Sequence, residues 1–494
     1  MSYTMGIDIG TYETKGVLVD HNGLVVAQAK RKHKMLVPKP GWAEHRPEED
    51  WWNDFCFVSK TILNESGIEP NEVKAVATSA IGPCMLPVSN NGTPLMNGVL
   101  YGVDNRAAEE VIELTAAIGQ DFILKKCGNA LTSQSVGPKI LWYRRKCPEL
   151  FKKTDKILTS TSFIVHRLTD QYVIDHYTAA NFSPLYDVLT QNWTLELTNK
   201  IISLDKLPQL KWSDEIAGTI TKKASEATGL LVGTPVTTGT IDAAAEALSV
   251  GVLNSGDMMM MYGSTIFIIL KNSKRVVDSK LWYAPWLFKG EHATMAGLST
   301  SGTLTHWFKD QFAKELDVET AIEVLAMEAK KSPVGANGLL LLPYFSGERT
   351  PIQDPKAKGV FFGLNLTHKR GDMFRAIIEG IAFGTRHVTD TFSELEQPVS
   401  RLVAVGGGTK NSLWLQATSD VTGINQEVPE KTIGASFGNA FIAALAIGKV
   451  KKEDITSWNP IKKKIKAQPN CTYDSNYNIF IELYERTKEL MHKL

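Results

Sequence analysis

Asp242 stands in the run "GTIDAAAEALSVG", among glycines and alanines, with Glu246 four residues on. A carboxylate packed among small residues has two readings. It caps a helix N-terminus after the strand end "TTGT", accepting a backbone N–H. Or it is a general base, with room beside it for a polyol whose hydroxyl proton it takes as that oxygen attacks a phosphate. Glu246 falls on the same helix face one turn later and reads as a supporting group. Asp8 closes the apolar run "MGIDI", where a carboxylate must be paired, hydrated or metal-bound. After it, "GTYETKG" sets Thr11 and Lys15 either side of a glycine-containing bend. Such a bend is either a plain tight hairpin or a place where exposed N–H groups meet an anion. "YGSTIF" repeats the geometry at Gly263, Ser264 and Thr265. Two such bends could clamp a polyphosphate from both sides, which suits phosphoryl transfer, a chemistry of positioning and charge balance.

"VGGGTKNSLWLQ" is the third piece. Gly406 to Gly408 would let backbone approach a flat ligand or a phosphate, or simply turn a strand into a helix. Asn411 either bonds a base or ribose, or caps the helix that follows. The sequence carries no G-x-x-x-x-G-K-[ST] loop, no H-R-D with D-F-G and no H-E-x-x-H. His45 in "GWAEHRP" and His306 in "SGTLTHWFKD" stand alone, without metal-ligand spacing. The expected metal is therefore Mg²⁺ arriving with a nucleotide, with Asp8 and Asp242 as the candidate ligands.

These groups need elements to hold them. "YTMGIDIGTYETKGVLVD" reads as strand, bend, strand, and Asn22-Gly23 turns the chain into a third strand, so it opens with an antiparallel meander. "PEEDWWNDFCFVSKTILNESG" is helical with an acidic start, and "VKAVATSAIG" is a buried strand. Short buried helices are expected at Lys139 to Tyr143 and Ser162 to Thr169. The Gly, Thr and Lys-rich stretch ending near residue 240 marks the boundary between two domains, 1–240 and 241–494. Beyond it "GDMMMMYGSTIFIILKN" is again strand, bend, strand, followed by helices at Ser301 to Leu316 and Glu319 to Lys331. Gly380 and Gly384 lie one turn apart on a long helix, where a close neighbour should cross. The final helix, Asn476 to His492, is amphipathic and should cover the outside of the fold.

Bulk properties exclude several classes. The chain has 494 residues, 54 basic and 53 acidic side chains and a formal net charge of +1. Balanced charge provides no field to gather nucleic acid or anionic lipid. Five scattered cysteines with no C-x-x-C pair argue for a reducing, cytoplasmic setting. The first residues show no leader pattern, and the longest apolar run is too short for a membrane span.

Several stretches together, and in this order, resemble the FGGY family of carbohydrate kinases: "MGIDIGTYETKGVLVD", "YGVDNRA", "TIDAAAEALSVGV", "YGSTIFIIL", "GERTPIQDPKAKGVFFGLNLTHKRGDMFRAIIEGIAF" and "VGGGTKNSLWLQATSD". A second family signature is met less fully by "SVGPKILWYRR", with Val136 where a small polar residue or proline is usual. The resemblance implies an α/β, two-domain actin-like ATPase (ribonuclease H-like) fold, with mixed sheets flanked by helices and a cleft between the domains. It implies ATP and Mg²⁺, with Asp242 as catalytic base. It places Asp8, Thr11, Lys15, Gly263 to Thr265 and Gly302 around phosphates and metal, and Gly407, Gly408 and Asn411 at adenosine. Gly82, Pro83, Tyr101, Asp104 and Arg106 would meet the sugar. "PGWAEHRPEEDWW" and "SGERTPIQDPKAKGVFFGL" are most similar to gluconate kinases, which makes gluconate the first substrate expectation and D-xylulose the alternative, with another ketose after it. Gluconate would need a cation for its carboxylate, from Arg106 or Arg46. A sugar-independent ATPase switch and a non-catalytic binding protein are the readings from other classes. Homodimerisation fits the family's habit.

Overall fold

The computed structural model describes residues 2–494. By compactness the chain forms two units that interleave in sequence, where the sequence expectation put one junction at residue 240. Unit 1 comprises Met1–Leu253, Lys274–Ala293 and Ile433–Asn459, and unit 2 Asn254–Ser273, Thr294–Thr432 and Pro460–Leu494. Met1 lies outside the described residues.

Unit 1 is built on a mixed sheet. Its strands run in the order Ile216–Thr219, Pro235–Thr237, Val73–Ala80, Tyr3–Ile9, Glu13–Asp20, Val25–Lys32. The expected meander is present: Tyr3–Ile9 pairs antiparallel with Glu13–Asp20, which pairs antiparallel with Val25–Lys32. Gly23 takes a φ of 84° in the turn between the last two, as the Asn-Gly signal requires. Tyr3–Ile9 is buried along its whole length, because Val73–Ala80 pairs parallel on its other edge and helices cover its faces. The short strand Thr240–Ile241 joins parallel to Ser79 and Ala80, and the helix Asp242–Ser249 starts on the next residue.

The helix Ala435–Ala446 lies directly on this sheet. Small residues allow it. A Cβ on Gly6 would come 2.0 Å from the Ser436 carbonyl oxygen, and one on Gly438 would come 1.9 Å from the Ala245 carbonyl oxygen. Backbone therefore meets backbone at both places. Thr4 adds a hydroxyl bond to the Ala440 carbonyl at 2.8 Å.

Unit 2 repeats the theme. Asp257–Tyr262 pairs antiparallel with Ile266–Asn272 and parallel with Arg401–Val405. Gln426–Pro429 and Ile461–Ile465 extend the sheet beyond it. The long helix Arg370–Glu394 crosses the strand Leu340–Leu342 at Gly380, where a Cβ would meet the Leu341 carbonyl at 2.5 Å. That is the close neighbour expected from the glycine spacing. The final helix spans Cys471–Met491, and its Tyr473, Tyr477, Phe480 and Tyr484 pack into a core with Tyr344 and Phe383. The helices expected at 301–316 and 319–331 are shorter, Gly302–Phe312 and Ala321–Lys330. Among the described residues no helix is long and apolar enough to cross a membrane.

Overpacking follows directly from the helix contact in unit 1. Gly438→Ala should lower stability by about 1–3 kcal/mol, because backbone cannot yield as a flexible side chain would. Urea unfolding of variant and parent measures it, and an unchanged midpoint would mean that the two helices separate freely.

Candidate active site

Unit 1 gathers three carboxyl groups. Asp8 is the penultimate residue of its strand, opposite Lys15 on one neighbour and Ser79 on the other. The Ser79 hydroxyl donates to Asp8 Oδ1 at 2.7 Å. Asn439, on the small-residue helix, donates to Ser79 Oγ at 2.7 Å and to the Ile7 carbonyl at 2.9 Å. The helix that needs Gly6 thus also locks the rotamer of the serine that holds Asp8.

Asp242 does not take the cap position considered for it. Ile241 occupies the cap, without a side-chain bond, and Asp242 is the first helical residue. Its Oδ1 accepts the Ala243 N–H at 2.7 Å. Asp242 and Glu246 are half-buried. Burial, then the Asp8 charge, holds Asp242 well above the usual carboxylate range, against the Ala243 hydrogen bond. Burial and Asp8 raise Glu246 to about 7. Asp8 itself is raised to about 6, burial outweighing the Ser79 bond and Lys15. The cation acting on Asp8 and Glu246 is Lys15, which is half-exposed and paired with Glu13 at 3.0 Å.

The loop after Val73–Ala80 closes on the same wall. A Cβ on Gly82 would lie 2.9 Å from Ile241 Cγ1, beside the residue before Asp242, and Pro83 follows it. The Cys84 thiol donates to the Ile81 carbonyl at 3.2 Å and is pushed up to about 12 by burial. Tyr101 faces the Thr11 side chain and feels the charge of Asp242; burial, above all, keeps its phenol protonated. Asp8, Thr11, Tyr101 and Asp242 are thereby brought together.

Asp104 and Arg106 behave differently. Both side chains are fully enclosed. Asp104 Oδ2 accepts the Ala43 N–H at 2.6 Å and Arg106 Nη2 at 2.8 Å, and the same Nη2 reaches Glu44 at 2.8 Å. The guanidinium sits 4.0 Å from the Trp42 ring centre and 5.1 Å from that of Trp142. This pair ties the loop carrying Tyr101 to the segment at Ala43 and Glu44. Lys139 was not singled out by sequence reasoning, although it is a lone charge in the apolar stretch "VGPKILWY". It is almost wholly buried, donates to the Leu100 and Tyr101 carbonyls at 2.5 and 2.9 Å, and is lowered to about 8 by burial.

In unit 2 the Gly263–Thr265 bend is held from one side. Gly302 N–H donates to the Gly263 carbonyl at 3.0 Å and Ser301 N–H to the Ser264 carbonyl at 3.1 Å. A Cβ on Gly302 would fall 2.4 Å from that Gly263 oxygen, which excludes other residues. Gly406 has a φ of 89° and starts the turn toward the helix Ser412–Thr422. Asn411 caps that helix, its Oδ1 accepting from Leu413 and Trp414 at 3.1 and 3.2 Å. Gly263, Ser264, Gly302, Gly407, Gly408 and Asn411 line one cleft of about 800 Å³. That is ample for a nucleotide-sized ligand. Its opposite wall, Ile322, Glu323, Ala326 and Met327 on the helix Ala321–Lys330, carried no signal beyond ordinary amphipathic spacing.

Among the described residues no group of three or more His, Cys, Asp or Glu forms a metal cage. The acidic trio nevertheless suits a hard divalent cation bound through few protein ligands, because its mutual repulsion is relieved by positive charge. Burial and the same repulsion set a stability prediction. A carboxyl raised in the folded state stabilises the protein below its unfolded pKa, near 4, and loses that contribution as pH rises through its folded value. For Glu246 the window runs up to about 7. Glu246→Gln should therefore raise the melting temperature relative to the parent at pH 8 and bring no such gain at pH 5. Calorimetry at the two pH values checks this.

Residues 3–249 match the N-terminal domain of the FGGY family of carbohydrate kinases, and residues 258–447 match its C-terminal domain. The chain is 29% identical to a xylulose kinase of Bacillus subtilis, over 99% of this chain and 98% of that one. It is 27% identical to a gluconokinase of the same organism, over 92% and 90% respectively. The crystal structure of xylulose kinase from Rhodospirillum rubrum superposes with a TM-score of 0.94 at 29% identity, covering 99% of this chain and all of that one. The fold is the two-domain α/β actin-like ATPase fold, with mixed sheets flanked by helices. With both family domains matched in order, the chain belongs to the FGGY family of carbohydrate kinases, enzymes that bind ATP and a small sugar or sugar acid.

Proposed function

We propose that the chain transfers the terminal phosphoryl group of MgATP to a hydroxyl of D-xylulose, with Asp242 as general base. One observation carries the choice of a neutral ketose over gluconate. Neither arginine open to a substrate carboxylate is available for it. Arg106 is enclosed with Asp104 and Glu44, and Arg46 is paired with Asp50 at 2.6 Å. The groups acting on Asp242 are acidic, and a second carboxylate beside them would add repulsion. Likeness to xylulose kinases over nearly the whole chain supports the same choice.

Asp242 takes the hydroxyl proton as the sugar oxygen attacks the phosphorus and ADP leaves. Its place at the helix start fixes the direction of the carboxylate, and its raised pKa makes the ionised carboxylate a stronger base. Gly82, Pro83 and Tyr101 line the sugar, and Asp104 and Arg106 act by holding the Tyr101 loop. Thr11, Lys15, Gly263, Ser264, Thr265 and Gly302 serve the phosphates, while Gly407, Gly408 and Asn411 serve adenosine. Bound Mg²⁺, for which Asp8 and Asp242 are the residues, would supply charge neutralisation of the triphosphate.

A coupled ATP assay over D-xylulose, gluconate, L-ribulose and glycerol tests the substrate. The highest kcat/KM should fall on D-xylulose; a higher value for gluconate overturns the choice, and ATP hydrolysis indifferent to every sugar favours an ATPase switch. Asp242→Asn should bind sugar and fold normally while kcat falls by about 10²–10⁴-fold or more. Turnover near that of the parent would remove Asp242 from the base role.

A further inference from the structure

His45, isolated in the sequence, has a buried neighbour in His33. The two rings meet edge to face, with centres 5.0 Å apart and planes at 78°. His33 Nε2 lies 3.0 Å from the Gly10 carbonyl, and His45 Nε2 lies 3.0 Å from the Thr11 carbonyl. These are consecutive peptide units of the bend that follows Asp8. The next carbonyl, that of Tyr12, accepts the His33 backbone N–H at 2.9 Å.

The hydrogen positions follow from the partners. An indole nitrogen can only donate, and Trp51 Nε1 donates to His45 Nδ1 at 3.0 Å. His45 Nε2 therefore carries the hydrogen and donates to Thr11. Burial, then the His33 charge, lowers His45 to about 4, so the ring stays neutral. His33 Nδ1 faces Asp54 Oδ2 at 2.9 Å, and its Nε2 faces Gly10. The Asp54 carboxylate and the Gly10 carbonyl are acceptors, one beside each ring nitrogen. Arg31 Nε shares Asp54 at 3.1 Å, and the Arg46–Asp50 pair lies beyond His45.

A trans peptide is planar, with its C=O and N–H pointing opposite ways. Fixing the Gly10 and Thr11 carbonyls on the histidine side turns the Thr11 and Tyr12 N–H groups to the other side. Two adjacent N–H groups aimed one way form an anion-binding concavity. We propose that His33 and His45 are positioning residues that brace the Gly10–Tyr12 bend from behind, so that its N–H groups meet the phosphates beyond the first on a bound nucleotide. This rests on the phosphate role given to the bend above.

Calorimetric binding of MgATP and of AMP separates the parts. In His45→Phe, His45→Asn and His33→Phe the affinity for MgATP should fall about 3- to 10-fold, the worth of one hydrogen bond, while that for AMP stays within about twofold. His45→Gln, whose amide reaches the Thr11 carbonyl, should restore MgATP binding. Unchanged MgATP affinity in a folded Phe or Asn variant overturns the proposal, as does an equal loss for AMP. A Gln variant no better than Asn overturns it too, and this pair decides the matter if the Phe variants fail to fold. A parent that holds MgATP no tighter than AMP sinks the phosphate reading of the bend. A parent that binds MgATP but phosphorylates no sugar sinks only the proposed function.

Discussion

Buried carboxylates crowded together, with half-exposed Lys15 as the cation acting on Asp8 and Glu246, are the constraint around which unit 1 is arranged. Burial raises Asp8, Asp242 and Glu246, and the Asp8 charge raises the other two further. Such an arrangement costs stability at neutral pH, so packing elsewhere must hold it. The helix Ala435–Ala446, which lies close over Gly6 and itself carries Gly438, does this. It brings Asn439 onto Ser79, and Ser79 onto Asp8, through bonds of 2.7 Å. A side chain larger than hydrogen at either glycine would push that chain of contacts apart. Strain of this kind at a site matches a chemistry that needs a basic carboxylate and later receives positive charge.

Around this trio the charges are arranged to brace backbone rather than to face solvent. Arg106 and Asp104 tie the Tyr101 loop to Ala43 and Glu44. Lys139 holds two carbonyls of the same loop. Buried charges kept in this way depend on their partners, because removing one leaves the other uncompensated. Unit 2 achieves a comparable rigidity without charge. Gly302 and Ser301 pin the Gly263–Ser264 carbonyls, and Asn411 takes the free amides at the start of its helix. Backbone dipoles there leave a cleft lined by glycine on one side and by a helix face on the other.

The opening meander, the Asn22-Gly23 turn, both bends and the Gly380 crossing were all legible, since each depends on residues near in sequence. Asn411 kept two readings, and the structure shows the cap realised while the residue still lines the cleft. Lys139 was missed, because a lone lysine in an apolar helix looks like a surface residue until its carbonyl partners, nearly forty residues away, are seen. Of the two readings of Asp242, the cap falls one position short, because the cap is Ile241. The backbone extends through Ile241 because that residue pairs with Ala80, and this pairing is invisible locally.

By itself the sequence determined where strands bend, which stretches are helical and which carboxylates lie in apolar surroundings. Periodicity and glycine positions encode backbone geometry over a few residues. Only the tertiary structure decided which charges meet. It brought Asp8, Asp242 and Glu246 into one field, enclosed Arg106, and set two histidines behind the bend at Gly10 and Thr11. Charge availability and pKa depend on burial and on partners from distant segments, and neither is written in any local stretch of residues.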